Sequence, residues 1–284
     1  MLLRALGSTF VGGLLCSACL TSAPSTKGGE SSAASAGTAA SHRPVAWPNG
    51  THAAVSLTYD DAIQSQIDNA VPALAKHKLV ATFFLTGTSP YLQANPDVYK
   101  GLVAAGHELG SHTMNHPCDR AQSWVKPGFG LQDYDAARMQ KELEDNLQQL
   151  RDFGQKEPFS FAYPCGSMWL GEKHESYVKL VEPLFVAARG VLPAVTDPSS
   201  DDLMNVPSPM GNASGAALVS WVERAVAQNG WVTFTFHGVA GDYLAVDAEA
   251  HEALLAYLEA HKSTIWTERF GTIASYVKTK RAAP

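Results

Sequence analysis

The sequence predicts an α/β fold, a mainly parallel sheet with helices outside it, either open or closed into a barrel. Strand-like and helix-like runs alternate some seven times along the chain, the pattern that parallel sheets with crossover helices leave in a sequence. Two helical runs stop at a glycine, Gly106 and Gly154, as helices ending in a left-handed residue do. Hydrophobic residues are 45% of the 284-residue chain and charged residues 17%, enough apolar matter for one sizeable core.

Ala53–Tyr59 is a short apolar strand, and Gln66–Leu79 a helix with Ile67, Ala70, Val71 and Leu74 at helical spacing. Val80–Thr86 is the next strand, Asp97–Ala105 a helix, Glu108–Ser111 a strand and Asp135–Phe153 a long amphipathic helix. Phe159–Tyr163 is a strand stopped by Pro164, Tyr177–Phe185 is helical up to Pro183, and Val186–Arg189 is strand-like. Val191–Gly211 holds four prolines and reads as a long loop over one face. Gly215–Gln228 is a helix, Trp231–Phe236 a strand, Ala248–His261 a helix, Thr264–Trp266 a short strand and Glu268–Lys280 a last helix.

Residues 1–23 carry one early charge, Arg4, then a short apolar run and small residues, the order of an export signal. Thr21-Ser22-Ala23 fits cleavage after Ala23, whereas Leu15–Cys19 looks like a lipoprotein box that would leave Cys19 as a lipidated N-terminus. Residues 24–44, mostly Ser, Ala and Gly, read as a flexible tether, and 45–284 as the functional domain. The expected location is extracellular, periplasmic or cell-surface, with a membrane touched only through a lipid anchor. No later stretch is apolar for long enough to span a bilayer. A net charge of −6 argues against nucleic acid, whose phosphates need clustered Lys and Arg.

Three motifs stand at the C-terminal ends of expected strands, where parallel α/β folds place their sites. Thr58-Tyr59-Asp60-Asp61 ends the first strand with two carboxylates whose side chains diverge, so that one can ligate a metal while the other faces a water. His112-Thr113-Met114-Asn115-His116 sets two imidazoles at i and i+4, one face of a helical turn and a spacing used to grip zinc. No Glu follows the first His, so a base has to come from elsewhere, and Asp60 or Asp61 could supply it. Phe234-Thr235-Phe236-His237-Gly238 ends an apolar strand in a His placed for proton transfer.

In this order, and with the aromatic-Pro-x-Gly turn Phe161-Ala162-Tyr163-Pro164-Cys165-Gly166 between the second and third, the motifs resemble those of the polysaccharide deacetylase family. It is also called the NodB-homology or carbohydrate esterase 4 family, and the resemblance spans about residues 45–275. It implies a NodB-like irregular (β/α)7 barrel. It implies that Asp61, His112 and His116 hold one divalent metal, Zn2+ or another, that Asp60 is the general base and His237 the general acid. It assigns the oxyanion and substrate side to the turn, with Tyr163 and the Cys165 N–H. Two departures follow. The turn lacks the family's Arg partner of the base, for which Arg189 at the next strand end is the candidate. The family's Asp that orients the acid His has no clear counterpart, with Asp197, Asp201 and Asp202 all in the loop region.

The exported body retains only Cys118 and Cys165, which in an oxidising compartment are a candidate disulfide; beside the His motif and in the turn, they would tie the two together. Tyr163, Trp169 and Trp124 are candidates to stack on sugar rings or to be core. The implied activity is a monomeric deacetylase of an N-acetylated glycan of chitooligosaccharide or peptidoglycan type. The alternatives are an O-acetyl esterase on xylan, hydrolysis of a small non-sugar amide, or a non-catalytic glycan-binding module.

Overall fold

The computed structural model describes residues 44–283; the expected export signal at 1–23 and the expected tether at 24–44, save its last residue, lie outside them. Strand β1 (Ala53–Asp60) is central and wholly buried. It pairs along one edge with β8 (Trp231–Phe236). Its other edge is shared by β2 (Thr82–Leu85) at the C-terminal half, Thr58 opposite Thr82, and β9 (Ile265–Thr267) at the N-terminal half, Ala53 opposite Ile265. Outward from β2 follow β3 (Glu108–Ser111), β4 (Phe161–Ala162) and β7 (Ala188–Arg189), and every pairing in this sheet is parallel. A separate antiparallel hairpin, β5 (Trp169–Leu170) and β6 (Glu175–Ser176), follows the turn after β4.

The period-2 alternation of strand side chains sorts the core into two faces. Val55, Leu57 and Tyr59 of β1, Phe83 and Leu85 of β2, and Phe234 of β8 pack outward with Leu74, Leu102, Leu143, Leu218 and Leu254. Those leucines come from α1 (Val71–Lys76), α3 (Pro96–Ala104), α4 (Ala136–Asp152), α6 (Gly215–Gln228) and α7 (Ala248–Ala260). Ala54, Phe84, Ala162 and Trp231 face the other way, onto Phe270, Ile273 and Val277 of α8 (Phe270–Ala282). Along β1 the inward residues are therefore Ala54, Ser56, Thr58 and Asp60, and Asp60 is the one at the C-terminal rim.

The curl is completed by a segment expected to be loop. Val206 N–H donates to Ala188 O at 2.9 Å, Gly190 N–H to Val206 O at 2.9 Å, Thr235 N–H to Pro209 O at 3.1 Å and Gly211 N–H to Thr235 O at 2.7 Å. Residues 206–211 thus bridge β7 and β8 and close the ring as an irregular barrel. Prolines 207 and 209 hide this role, because a proline cannot donate to a ladder and the pairing survives only as isolated bridges. The expected helix Gln66–Leu79 splits into a π turn, Gln66–Ala70, and α1.

Candidate active site

β1 ends abruptly at its two carboxylates. Asp61 and Ala62 have left-handed φ of 79° and 58°, and Asp61 N–H donates to Phe84 O at 3.0 Å. Asp60 stays on the inner face while Asp61 turns across the strand ends. Both are buried, and both approach His112 Nε2, Asp60 through Oδ2 at 3.8 Å and Asp61 through Oδ1 at 3.6 Å.

The two histidines reach Asp61 by a different backbone from the one expected. His112–His116 is not a helical turn: it is a loop after β3, with Thr113 and His116 at φ 64° and 51°. Four residues are too few for spacing alone to separate a helical turn from a coil. The imidazoles still converge, with ring centroids 4.7 Å apart. Glu142 of α4 holds the loop. Its Oε2 accepts Met114 N–H at 2.9 Å and Asn115 N–H at 2.8 Å, and its Oε1 accepts the Asn115 amide at 2.7 Å and the Tyr134 hydroxyl at 2.9 Å. Sequence reasoning missed Glu142, although a signal was there: it lies on the same buried helix face as Met139, Leu143 and Asn146, where a carboxylate needs a reason.

His112 Nδ1 donates to Ala162 O at 2.7 Å. A carbonyl can only accept, so this bond fixes the tautomer and leaves the Nε2 lone pair free. Burial pushes the His112 imidazole down to about 4, so it is neutral at pH 7. Its Nε2 lies 3.6 Å from Asp61 Oδ1, and His116 Nε2 lies 3.4 Å from the same oxygen. Burial opposes ionisation of Asp61, but His116, His112 and His237, with the Tyr243 hydroxyl, hold its carboxyl below the ordinary value. One donor atom from each of Asp61, His112 and His116 lies within 4.8 Å of the others. Two imidazoles and one carboxylate match the three-ligand set of an open catalytic zinc site.

Asp60 accepts from Arg189 Nη2 through Oδ2, and its Oδ1 is buried without a partner. Arg189 is fully buried; its Nη1 also bonds Thr235 Oγ1 and Gly190 O. The candidate substitute for the missing turn Arg therefore reaches Asp60. With no exposed surface, it offers nothing directly to an oxyanion or substrate. His237 Nε2 stands 3.7 Å from Asp61 Oδ2 on the side away from the histidine pair. Its Nδ1 is buried and unpartnered, so none of Asp197, Asp201 and Asp202 orients it. Asp197 and Asp201 bond their own loop, and Asp202 caps the turn at Met204.

Cys118 and Cys165 are bonded, with Cα atoms 5.9 Å apart, tying the His loop to the Pro164–Gly166 turn. Sulfurs bonded to each other are no metal ligands, so the grouping of His116 with both cysteines carries no site. The turn's own bonds use the N–H groups of Gly166 and Ser167. Tyr163 corrects the sequence reading: it is buried, with its ring 5.0 Å from Phe161 and 5.6 Å from Tyr177, and is core. Trp169 stacks on His174 at 3.8 Å. Trp124 is 56% exposed and 5.8 Å from His116. It walls a cavity of about 230 Å³ with Thr88, Asn115, His116, Lys126 and Phe129.

The family model described as polysaccharide deacetylase matches residues 48–180. This segment, 133 of the 284 residues, belongs to the polysaccharide deacetylase family. A relative named chitooligosaccharide deacetylase, from Sinorhizobium fredii, is 41% identical over 71 residues, 24% of this chain and 32% of that protein. Peptidoglycan-N-acetylglucosamine deacetylase PgdA of Listeria monocytogenes is 37% identical over 68 residues, 24% of this chain and 14% of that protein. The chain spans only 10% to 32% of the length of the first curated relatives it matches. The crystal structure of a polysaccharide deacetylase from Mycobacterium smegmatis, given there as putative, superposes with a TM-score of 0.62 at 16% identity. That superposition covers 85% of this chain and 95% of the other. The fold is thus the deacetylase fold. The match to the family model ends before Arg189 and His237, whose membership of the site rests on the geometry above.

Proposed function

We propose that this deacetylase-family chain is an exported, metal-dependent hydrolase that removes N-acetyl groups from a glycan of chitooligosaccharide or peptidoglycan type. The observation that carries the reading is the convergence of Asp61, His112 and His116 on one point, with Asp60 on one side and His237 on the other. The two names borne by relatives support the substrate class. A disulfide beside the site supports an oxidising compartment, and with it a domain at 45–284 behind the signal and tether. Export proceeds through cleavage after Ala23 or lipidation at Cys19, and a monomer suffices, because every proposed site residue comes from one chain.

Asp61, His112 and His116 are the proposed ligands of Zn2+ or another divalent ion, which when bound supplies Lewis-acid activation of a water and of the acetyl carbonyl. Asp60 takes the proton from the attacking water through the oxygen that Arg189 leaves free. Arg189 holds that carboxylate in place through its hydrogen bond to Oδ2. The Cys165 N–H, on the turn locked by the disulfide, donates to the oxygen of the tetrahedral species; Pro164 has no N–H to offer. His237 donates a proton to the departing nitrogen, and acetate and a free amine leave. Trp124 offers a half-free indole face for a sugar ring beside His116.

The test is acetate release by the purified protein, zinc-loaded and chelator-treated, on an N-acetylglucosamine oligomer and on acetylated xylan. Zinc-dependent acetate from the first supports the reading. Acetate from xylan alone replaces it by the O-acetyl esterase. No acetate and no bound zinc overturns it in favour of a glycan-binding module.

A further inference from the structure

Asp61 has two carboxylate oxygens, and only Oδ1 faces the histidine pair, at 3.4 and 3.6 Å. Oδ2 points away and accepts the Tyr243 hydroxyl at 2.8 Å. Tyr243 is 52% exposed, so its ring does not serve the core. Its hydroxyl nevertheless ends on a buried carboxylate.

The loop carrying it is built to aim it. After β8, Gly238 N–H donates to Tyr243 O at 3.1 Å, Val246 N–H to Gly238 O at 3.0 Å and Ala240 N–H to Val246 O at 2.9 Å. A Cβ on Gly238 would lie 1.9 Å from Gly241 O, so this coil directly after His237 requires glycine. The loop is also tied to the segment that follows Asp61. Ser65 N–H donates to Asp242 Oδ2 at 2.7 Å, Val239 N–H to Ser65 Oγ at 3.2 Å, and the Asn69 amide to Val239 O at 2.7 Å. Asp61 and Tyr243 thus belong to one hydrogen-bonded unit, and backbone contacts set their separation.

Resting on the metal-site reading above, we propose that Tyr243 is a positioning residue for the metal: its hydroxyl occupies Asp61 Oδ2 so that the carboxylate meets the ion through Oδ1 alone. A carboxylate free at both oxygens can swing or chelate. Chelation raises the coordination number and closes a position that water and substrate need. Partners that hold a ligating group in this way account for about 10- to 100-fold in metal affinity or activity.

Tyr243→Phe keeps the ring and removes the hydroxyl. The full chain and this variant, both metal-free, are titrated side by side with Zn2+ against a competing chelator. They are then loaded with Co2+, whose visible absorption weakens as coordination number rises. The expected result is zinc affinity lower by about 10- to 100-fold, a weaker Co2+ spectrum and an unchanged melting temperature of the metal-free protein. Equal affinity and equal spectra, with the wild type binding one zinc, overturn the inference and leave the metal site standing. A fall in affinity matched by a lower melting temperature of the metal-free variant makes Tyr243 merely structural and overturns it as well. A wild type that binds no zinc overturns the metal-site reading itself, and the inference with it.

Discussion

Arg189 and Asp60 form a buried ion pair whose disruption has a calculable consequence. Both side chains are out of contact with solvent, 0% and 3% exposed, and the guanidinium bonds Asp60 Oδ2 directly. At the roughly 2.8 Å of a charge-assisted hydrogen bond and an effective dielectric of about 20, the attraction is about 6 kcal/mol. Most of this offsets the desolvation of two ions, so the pair adds little net stability. Removing one partner is another matter, because the other is left as an uncompensated buried charge, at about 3–5 kcal/mol. Arg189→Met should therefore lower the urea midpoint by between about 1 and 2 M. Adding Asp60→Asn to Arg189→Met should restore a large part of that loss, because the stranded charge is gone. The assay is urea unfolding of the four proteins of the cycle, metal-free, at pH 7. A single-mutant cost under about 1 kcal/mol, or a double mutant no more stable than Arg189→Met, would refute the claim that Arg189 exists to compensate the base.

Asp60→Asn removes the proton acceptor and leaves all three proposed ligands, so zinc content should stay the same while acetate release falls about 10²- to 10⁴-fold. Replacing Cys118 and Cys165 by Ala opens a cross-link spanning 47 residues; chain entropy puts the loss at about 4 kcal/mol, read as a lower urea midpoint that reductant alone should reproduce. Burial pushes His107, His112 and His251 down to about 4 in the folded protein, against an ordinary value near 6.5. The unfolded chain takes up these protons first, so stability is undiminished above about pH 6.5 and falls towards pH 4, by about 3 kcal/mol for each histidine. Unfolding of the metal-free protein at pH 7 and pH 5 reads the effect, and equal midpoints would contradict it.

The parts legible in the sequence are those where chemistry and local structure coincide. Asp60, Asp61 and His237 end long apolar strands, so the strand pattern also locates the site. His112 and His116 were read as a pair correctly and as a helical turn wrongly, because nothing in Thr113 or Asn115 announces the left-handed φ that the loop adopts. The closing segment 206–211 was invisible because its prolines break the ladder that would define a strand. Tyr163 was misjudged because an aromatic residue in a site turn looks the same whether its ring turns to substrate or to Phe161. Tyr243 and Glu142 lie far along the chain from the residues they hold. Only the fold brings them there, although Glu142 could have been suspected as a carboxylate on the apolar face of an amphipathic helix.

The missing arginine is the clearest case of register replacing sequence position. The resemblance expects the partner of the base on the strand before the Pro164 turn, where the chain has Ser160-Phe161-Ala162-Tyr163. Arg189 is 27 residues or so further on in sequence, yet Ala162 and Arg189 are paired directly across β4 and β7. Both point to the inner face, since Phe161 and Ala188 belong to the outer core. The guanidinium lies over the Phe84 ring at 5.3 Å and bonds Asp60. In a parallel sheet, residues paired across neighbouring strands share a face, so a side chain from either strand can reach the same point. The prediction that follows from the geometry is that Ala162→Leu, with Arg189 untouched, should damage the Asp60 contact as severely as Arg189→Met does.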